Sequence, residues 1–480
     1  MIVVGAGSAG CVVAARLSEN PERTVILIEA GPGVVGPGPL GVLPVGPHSD
    51  VVGRYPARLR DGAPETVLAR GRMLGGSGAV NGGYFLRGTA ADFERWPPSW
   101  SYASVLPYFR RLETDPFGDR RWHGDTGPVP VTRTAPDERH PISTAFLDAA
   151  DRAGFGYRAD LNEPDADGAG PVPLNARAGL RIGTATAYLA PHTGRPNLRV
   201  LTDTAARRVE LSGHRATGVE VESGGVRRVL RASTVVLCTG AVGTPHLLMH
   251  SGVGSAQQLS VHDIPVRVDL PGVGRAFEDH PEVTVGYRRT AAPPHRADRA
   301  ILEVVLAAEL DGEPVEVRPY TATFGEAIPG VDDPLARIGV ALMRPRSRGE
   351  IVLTAADPAA PPLVRYRYLE AAADRAALRA GVALAEDLLR GPAFTGLLDP
   401  RSLTDASATF GTSMHLSGGC SIGAPDDPDA VVDDRCRVHG VDGLWIADGS
   451  VMPSLPTRGP HATTVMIGER VAEFVALLDV

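Results

Sequence analysis

The chain opens with two apolar runs separated by a glycine-rich turn. Residues 2–4 are aliphatic, residues 5–10 hold three glycines, and apolar side chains recur at helical spacing over 12–17 before a second aliphatic run at 25–28. Strands of a parallel sheet are buried on both faces and therefore read as continuous aliphatic runs. The pattern predicts a β-strand, a tight turn, a helix and a second parallel strand, which form one βαβ unit.

Weaker patterns follow along the chain. Apolar residues at helical spacing predict helices over 136–153 and 370–390. Residues 31–64 are rich in Gly and Pro and lack periodicity, so we predict a loop there. Charged and apolar residues alternate over 281–353, which predicts antiparallel strands of a second lobe. Further strand patterns occur at 198–202, 217–222 and 226–237, and surface connections are predicted at 291–300 and 355–362.

Composition narrows the class of protein. A chain of 480 residues exceeds what one hydrophobic core normally supports, so two lobes are expected. Hydrophobic residues make up 43% and charged residues 22%, as in ordinary globular domains. The net charge of -8 lacks the basic footprint of a protein that binds nucleic acid or anionic lipid. We therefore expect no nucleic-acid partner.

Rare and missing residue types exclude several chemistries. The sequence contains no Lys, which rules out Schiff-base catalysis on a lysine. The four cysteines form no CxxC pair, and we find no cluster with metal-ligand spacing, so neither a metal nor a disulfide framework is expected. No apolar run reaches the roughly 18–20 residues that span a bilayer. We expect a cytoplasmic protein, with peripheral membrane contact left open.

The first turn has the spacing of a dinucleotide-binding motif. Gly5, Gly7 and Gly10 permit a sharp turn and let the backbone approach a pyrophosphate, which the N–H groups of the helix N-terminus then face. Glu29 ends the second strand, where a carboxylate accepts hydrogen bonds from ribose hydroxyls. An ordinary glycine turn would leave Glu29 unexplained. The motif predicts a dinucleotide without separating FAD from NAD.

A second glycine-rich segment spans residues 70–83. The loss of β-carbons along a whole loop lets backbone N–H groups close on a flat or phosphorylated ligand. A flexible linker is the alternative. It fits poorly, because Leu74, Val80 and Asn81 interrupt the glycines.

Further motifs allow a comparison with known families. They are GAVGTPHLLMHSGVG at 240–254, Asp279-His280-Pro281, HLSGGC at 415–420, GLWIADGSVMP at 443–453 and PHATT at 460–464. Together with the two glycine segments they resemble the glucose-methanol-choline (GMC) oxidoreductases, and the resemblance runs from end to end of the chain.

The resemblance implies the fold. We expect an α/β protein with a Rossmann-type FAD-binding lobe and a discontinuous α+β substrate lobe built on an antiparallel sheet. The FAD-binding lobe should gather 1–88, 170–280 and 400–480, and the substrate lobe 89–169 and 281–399.

The resemblance also implies the catalytic residues. The histidine of the family's HxxGxC motif falls on His415, which would take the proton of an alcohol while a hydride leaves for flavin N5. The family's second His or Asn falls on Gly459, and His461 stands two positions later. Either a shifted backbone makes His461 the second catalytic group, or His461 binds the flavin edge and His415 acts alone. A packed histidine is the plain alternative for both.

Cofactor-binding positions are carried over from the same motifs. They are Gly5, Gly7, Ser8, Gly10, Glu29, Ala30, Arg70, Gly75, Gly76, Asn81, Gly82, Asp448, Gly449, His461, Ala462 and Thr463. Some relatives attach FAD through a histidine directly before the asparagine, but Val80 stands there, so we expect non-covalent FAD. Thr463 and Thr464 are predicted to cap a final helix that faces the flavin. The histidines at 123, 246, 250, 280 and 439 are interpreted as packing or capping residues.

Finer detail suggests a branch of the family. The segments GGSGAVNGGYF, HLSGGCSIG and RGPHATTVMIGER resemble mycofactocin-associated GMC dehydrogenases, whose donor is the reduced form of a peptide-derived redox carrier. The resemblance implies a dehydrogenase for an alcohol or quinol-like donor, with a respiratory or other non-oxygen acceptor. The alternatives are an oxidase that uses O2 on a small alcohol, a non-redox lyase on the same scaffold, and a flavin-binding partner without turnover.

Overall fold

A five-stranded parallel sheet forms the centre of the first lobe. The computed structural model describes residues 1–34, 36–290, 293–406 and 410–477. The strands stand in the order Leu198–Leu201, Val25–Ile28, Ile2–Val4, Val235–Leu237 and Leu444–Ile446, and each neighbouring pair is parallel. Nearly all of these side chains are buried, as their lack of alternation predicts. The predicted βαβ unit and Rossmann-type sheet are confirmed.

Two helices link the beginning and the end of the chain. The helix Gly10–Leu17 connects the first two strands and packs against the helix His461–Ala476. Between them, the fully buried Glu469 accepts hydrogen bonds from Arg16 (2.9 Å) and the Tyr188 hydroxyl (2.6 Å). This arrangement fixes the C-terminal helix to the nucleotide-binding unit.

A six-stranded antiparallel sheet forms the second lobe. Its order is Gly411–Thr412, Pro281–Tyr287, Ala336–Leu342, Glu313–Pro319, Val304–Leu310 and Gly168–Pro171. The helices Pro141–Arg152 and Ala372–Arg390 pack on one face and enclose a separate apolar core. The predicted antiparallel strands and both predicted helices are present, and the fold class is confirmed.

Some elements depart from the expected segments. The predicted loop over 31–64 was wrong for Val52–Arg58, which is a strand between Thr66–Gly71 and Leu363–Arg365 in a four-stranded sheet that Glu350–Val352 completes. Pro56 and the weak alternation of apolar residues hide this strand, although its antiparallel partner Thr66–Gly71 follows after a short connection. Gly411–Thr412, expected in the FAD-binding lobe, pairs instead with the edge of the antiparallel sheet.

Shorter elements complete the described chain. The other helices are Ala90–Glu94, Tyr102–Leu112, Gly240–His250, Ala256–Ser260 and Phe324–Ala327. The other strands are Gly38–Pro39, Glu113–Thr114, Val129–Pro130, Ala176–Arg177, Leu180–Arg181, Ala205–Ser212, Arg215–Ser223, Val226–Arg231, Val253–Gly254 and Val268–Asp269. Among the described residues, no helix combines the length and the apolar character needed to cross a membrane.

Candidate active site

A cavity of about 1140 Å³ lies between the two main sheets. One end is lined by residues that follow the parallel strands, including Gly5, Glu29 and Cys238, and the other by Glu282 and Arg318 of the antiparallel sheet. Open α/β sheets bind ligands at the carboxyl ends of their strands, where this cavity begins. It is therefore the candidate site for the cofactor, at the parallel-sheet end, and for the donor, at the antiparallel-sheet end. We call these the cofactor end and the donor end.

The two glycine-rich segments meet at the parallel-sheet end. Gly5 has a φ of +94°, and a β-carbon there would lie 2.6 Å from the carbonyl oxygen of Cys238. Gly76 has a φ of +54°, and its β-carbon would lie 2.7 Å from the Cα atom of Gly7. Only glycine fits both positions. The result is a bare backbone surface of the kind that receives a pyrophosphate.

Glu29 is held at the end of the second strand. Its carboxylate accepts hydrogen bonds from the N–H groups of Ala6 (2.9 Å) and Gly31 (2.9 Å). Burial raises its pKa, while these bonds and the Arg72 guanidinium act against that rise. Glu29 lines the cavity beside Ala30. The placement suits recognition of a ribose, for which dinucleotide-binding folds use a carboxylate.

Arg70 lines the cavity and carries an unsatisfied donor. One guanidinium nitrogen donates to the backbone carbonyl of Met414. The other, Nη2, is buried and has no hydrogen-bond partner among the described residues. A buried donor without an acceptor costs about 1–3 kcal/mol, so an oxygen atom of a bound ligand would stabilise it. Together with the glycine cradle, this supports a fit between the site and FAD.

Arg181 anchors the second glycine segment. It donates to the backbone carbonyls of Ala79 (3.0 Å) and Asn81, and burial lowers its pKa to about 10. Asn81 turns its side chain onto its own loop, where Oδ1 accepts from the Gly83 N–H at 2.9 Å. No motif marks Arg181, because its contacts are made with a segment far away in sequence.

Asp448 joins three of the motifs. Its Oδ2 atom accepts hydrogen bonds from the Gly240 N–H (2.9 Å) and the Thr244 hydroxyl (2.6 Å), and Oδ1 accepts from the Ser450 N–H (2.8 Å). Burial raises its pKa and these bonds oppose the rise. Asp448 and Gly449 line the cavity. The aspartate thus holds the start of the helix Gly240–His250 beside the cofactor end.

His415 occupies the junction of the two lobes. Met414, with a φ of +60°, turns the chain away from the sheet edge directly before it. The His415 N–H donates to Asp279 Oδ1 (2.7 Å), and its Nδ1 atom lies 2.9 Å from Nδ1 of His280. Burial and neighbouring positive groups hold the pKa of His415 well below its usual value. The ring is therefore neutral, with its Nε2 atom towards Gly459.

Gly459 and His461 have different surroundings. A β-carbon on Gly459 would lie 3.3 Å from His415 Nε2. His461 begins the last helix, packs edge-on against Phe85 and lies against Gly78, whose β-carbon would be 2.5 Å from the imidazole. Burial lowers the pKa of His461 to about 4. His461 thus lies beside the second glycine-rich segment, and Gly459 stands beside the Nε2 atom of His415.

Most of the other predicted cofactor positions line the cavity, but four stand behind its wall. Those that line it include Ser8, Asn81, Gly82 and His461. The four that do not are Gly10, Gly75, Ala462 and Thr463. They belong to the packing of the glycine turns and of the final helix. A β-carbon on Gly10, for example, would lie 1.8 Å from the carbonyl oxygen of Gly5.

The predicted threonine cap of the final helix was wrong. That helix starts at His461 after Pro460, so Thr463 and Thr464 fall inside its first turn. The Thr464 hydroxyl donates to the Pro460 carbonyl at 2.8 Å.

A charged, fully hydrogen-bonded wall faces the donor end. Arg318 bridges Glu282 (2.7 Å) and Glu316 (2.7 Å). The Tyr84 hydroxyl donates to Glu316 (2.6 Å), and the Tyr320 hydroxyl donates to Glu282 (2.8 Å). All four carboxylate oxygens therefore have donors. Glu316 and Arg318 lie on the same face of the strand Glu313–Pro319, because residues two positions apart along a strand face the same side of the sheet.

Comparison with known proteins decides the family. Residues 1–282 match the N-terminal model, and residues 345–468 the C-terminal model, of proteins described as GMC oxidoreductase. The chain belongs to the GMC oxidoreductase family. As a GMC oxidoreductase it is an FAD-dependent enzyme that acts on the CH–OH group of donors.

Several GMC relatives align with almost the whole chain. An uncharacterised GMC-type oxidoreductase in the thcA 5′ region of Rhodococcus erythropolis is 50% identical and aligns with 98% of this chain and 96% of its own. Mitochondrial choline dehydrogenase of Mus musculus is 34% identical, with 99% and 89% covered. The solved structure of pyridoxine 4-oxidase from Mesorbium loti has a TM-score of 0.89 at 28% identity, with 98% of each chain covered.

Two groups in this GMC oxidoreductase have roles at the cavity that the motifs did not indicate. His280, interpreted as a packing residue, contacts His415 directly. Pro358 to Pro362, interpreted as a surface connection, line the cofactor end together with His246. Neither role could be predicted from local sequence, because the residues that each group meets at the cavity are distant along the chain.

One buried cluster lies outside this site. Glu113, Asp115 and His123 stand close enough together to hold a metal ion. Arg87 already pairs with Glu113, and Arg133 pairs with Asp115 at 2.8 Å. The carboxylates are thus neutralised by protein side chains.

Proposed function

We propose that this enzyme oxidises a polar alcohol, with His415 as the group that receives the hydroxyl proton. The observation that carries the proposal is the neutral imidazole of His415, whose Nε2 atom faces Gly459 at the junction of the cofactor and donor ends. FAD, when bound, supplies the acceptor for the hydride that leaves the donor carbon.

The state of His415 supports its role as a base. A base accepts a proton only when it is unprotonated. Because burial holds the pKa of His415 well below its usual value, the ring stays neutral throughout the neutral range and into mild acid. Loss of activity through protonation of His415 is therefore expected only well below pH 6.5.

The wall around Arg318 favours a donor that carries hydroxyl or other hydrogen-bonding groups. Tyr84, Tyr320 and the Glu282–Arg318–Glu316 bridge give the donor end a polar surface. An apolar donor would take these charged groups out of water, and desolvation of charged groups is unfavourable even when they are paired with one another.

For the identity of the donor, we propose reduced mycofactocin, with electrons passing to a respiratory or other non-oxygen acceptor. The support is the resemblance of GGSGAVNGGYF, HLSGGCSIG and RGPHATTVMIGER to the mycofactocin-associated branch. The test is anaerobic stopped-flow reduction of the bound flavin by ethanol, choline, pyridoxine and reduced mycofactocin. Fastest reduction by reduced mycofactocin would support this donor, whereas rapid reduction by ethanol or choline would contradict it.

An oxidase that uses O2 is the second candidate. The likeness to pyridoxine 4-oxidase, at 28% identity over nearly the whole chain, favours it. Peroxide formed in air during turnover separates the two. One equivalent of peroxide per donor oxidised would indicate an oxidase. Almost no peroxide, together with rapid turnover on an artificial electron acceptor, would indicate a dehydrogenase.

A further inference from the structure

A second imidazole lies directly behind His415. Nδ1 of His280 is 2.9 Å from Nδ1 of His415, and the rings meet edge to face with centroids 5.1 Å apart at 89°. Two ring nitrogens at this distance share one proton, so one of them donates and the other accepts. Which one donates decides where the free lone pair of His415 lies.

Asp279 holds the backbone of both histidines. Asp279 Oδ1 accepts hydrogen bonds from the N–H groups of His280 (2.7 Å) and His415 (2.7 Å), and Oδ2 accepts from the Thr412 hydroxyl (2.9 Å). Asp279 and His280 are almost completely buried. The contact between the two imidazoles is therefore part of a rigid, enclosed unit.

The surroundings of His280 determine the direction of the hydrogen bond. The Nε2 atom of His280 is buried, and Nδ1 is engaged with His415. The backbone carbonyls of Met343 and Pro456 interact with the ring and favour a proton on it, and Nε2 is the nitrogen left to face them. No hydrogen bond of standard geometry to Nε2 is present within the described residues. Because a carbonyl only accepts, the proton of neutral His280 belongs on Nε2. Nδ1 of His280 is then an acceptor, and Nδ1 of His415 must donate to it.

Charges around the pair keep both rings neutral. Arg318 and Arg458 face His280, and Arg318 and Arg70 face His415. Asp279 is the acidic group held against both of them. Burial and these guanidinium groups lower the pKa of each histidine well below its usual value. A neutral His415 that carries its proton on Nδ1 has a free lone pair on Nε2.

We propose that His280 is a positioning residue that accepts a hydrogen bond from His415 Nδ1 and so holds His415 in the tautomer whose unprotonated Nε2 faces the donor. The inference rests on the proposed function of His415 as the base. It also accounts for the glycine at position 459. Because Gly459 has no side chain, this position offers no group that could orient His415 from the front, whereas His280 contacts Nδ1 of the ring from behind.

Two substitutions of His280 test the role in the FAD-loaded enzyme. His280→Leu removes the acceptor, and His280→Asn restores an amide oxygen close to the position of Nδ1. Anaerobic flavin reduction is measured with whichever of ethanol, choline, pyridoxine and reduced mycofactocin reduces the wild type fastest. We expect the limiting rate constant to fall by about 100-fold or more in His280→Leu, to stay within about tenfold of wild type in His280→Asn, and the donor dissociation constant to change little in either.

The matched control is His250→Leu. His250 is a buried histidine that also faces a second imidazole, with its Nε2 atom 3.0 Å from Nε2 of His246, and His250 itself does not line the cavity. Its substitution should leave the limiting rate constant unchanged. Equal rates in His280→Leu and the wild type, or an equal loss in the Leu and Asn variants at position 280, would overturn the positioning role.

A second measurement needs neither a folded variant at position 280 nor a donor. In wild-type holoenzyme labelled with ¹⁵N-histidine, two-bond ¹H–¹⁵N correlations report the tautomer of each ring, and the signals of His415 are identified by their absence in His415→Asn. Protonated Nδ1 with unprotonated Nε2 is expected. Protonated Nε2, or a mixture of tautomers, would overturn the inference. Failure of the proposed function would appear elsewhere, as wild-type flavin that no donor reduces.

Discussion

Gly459 faces His415 so closely that a β-carbon at position 459 would lie 3.3 Å from the Nε2 atom of His415 and 2.9 Å from the ring of Tyr84. The space in front of this His415 nitrogen thus depends on the absence of a side chain at position 459. Tyr84 has little freedom to move aside, because its hydroxyl is hydrogen-bonded to Glu316 at 2.6 Å.

Gly459→Ala should therefore impair donor oxidation without removing FAD. Displacement of the donor or of the imidazole by a fraction of an ångström is expected to lower kcat/KM by about 10- to 100-fold. Gly194→Ala is the matched control, because a β-carbon there meets nothing within 4 Å. Steady-state kinetics, with the flavin content of each variant measured, test this prediction. Equal kcat/KM in both variants would show that the space beside His415 is not needed for donor oxidation.

The flavin should be released when the protein is denatured. Val80 stands directly before Asn81, and valine offers no nucleophile for a bond to the flavin ring. Acid precipitation of the holoenzyme should leave a colourless pellet and all FAD in the supernatant, measured by its absorbance. Yellow colour that stays with the pellet would refute non-covalent binding.

The C-terminal helix should depend on Glu469 for its attachment. The fully buried carboxylate receives the guanidinium groups of Arg16 and Arg111 and the hydroxyl of Tyr188. Glu469→Ala leaves these donors without an acceptor, and we expect the free energy of unfolding to fall by about 2–4 kcal/mol. Glu473→Ala, which removes a half-exposed carboxylate one turn later, should cost less than about 1 kcal/mol. Equal losses in urea unfolding would contradict this account.

His123 should make stability depend on pH. Burial alone would lower its pKa, but hydrogen bonds to Asp115, Asp160 and Glu113 raise that pKa to about 10. Because the folded value lies above the unfolded value of about 6.5, the contribution of His123 is complete below pH 6.5 and disappears as the pH rises through 10.

The loss of stability in His123→Gln should accordingly be largest near pH 6 and smaller at pH 9.5, as measured by urea unfolding. His214→Gln, at an exposed histidine, should have little effect at either pH. A loss that stays constant or grows with pH would show that His123 is not held as a cation.

The parts of the fold that were predicted from the sequence are those specified by neighbouring residues. The aliphatic run at 2–4, the glycines from Gly5 to Gly10 and the run at 25–28 define a βαβ unit within thirty residues. The strand Val52–Arg58 was missed, because Pro56 and its weak apolar alternation conceal a strand that pairs both with the nearby Thr66–Gly71 and with Leu363–Arg365 some three hundred residues later.

In the active site, too, residues in local motifs were predicted and residues whose roles depend on distant contacts were not. Glu29 and His415 belong to motifs that are recognisable by local spacing, and both line the cavity. The roles of Arg181, Arg318 and His280 arise from contacts with distant segments, as when His280 meets His415 across 135 positions. Alternation within Glu313–Pro319 predicts that Glu316 and Arg318 share a face of the strand, but only the fold shows that this face lines the donor end.

The central claim is that His415 removes the donor proton beside the bound flavin. The most direct measurement is the anaerobic rate of flavin reduction in His415→Asn beside the wild type, with the flavin content of both determined. Asparagine retains polar atoms near Nδ1 but supplies no base, so we predict bound FAD and a limiting rate constant lower by about 10²- to 10⁴-fold. Reduction of the variant at the wild-type rate would contradict the account.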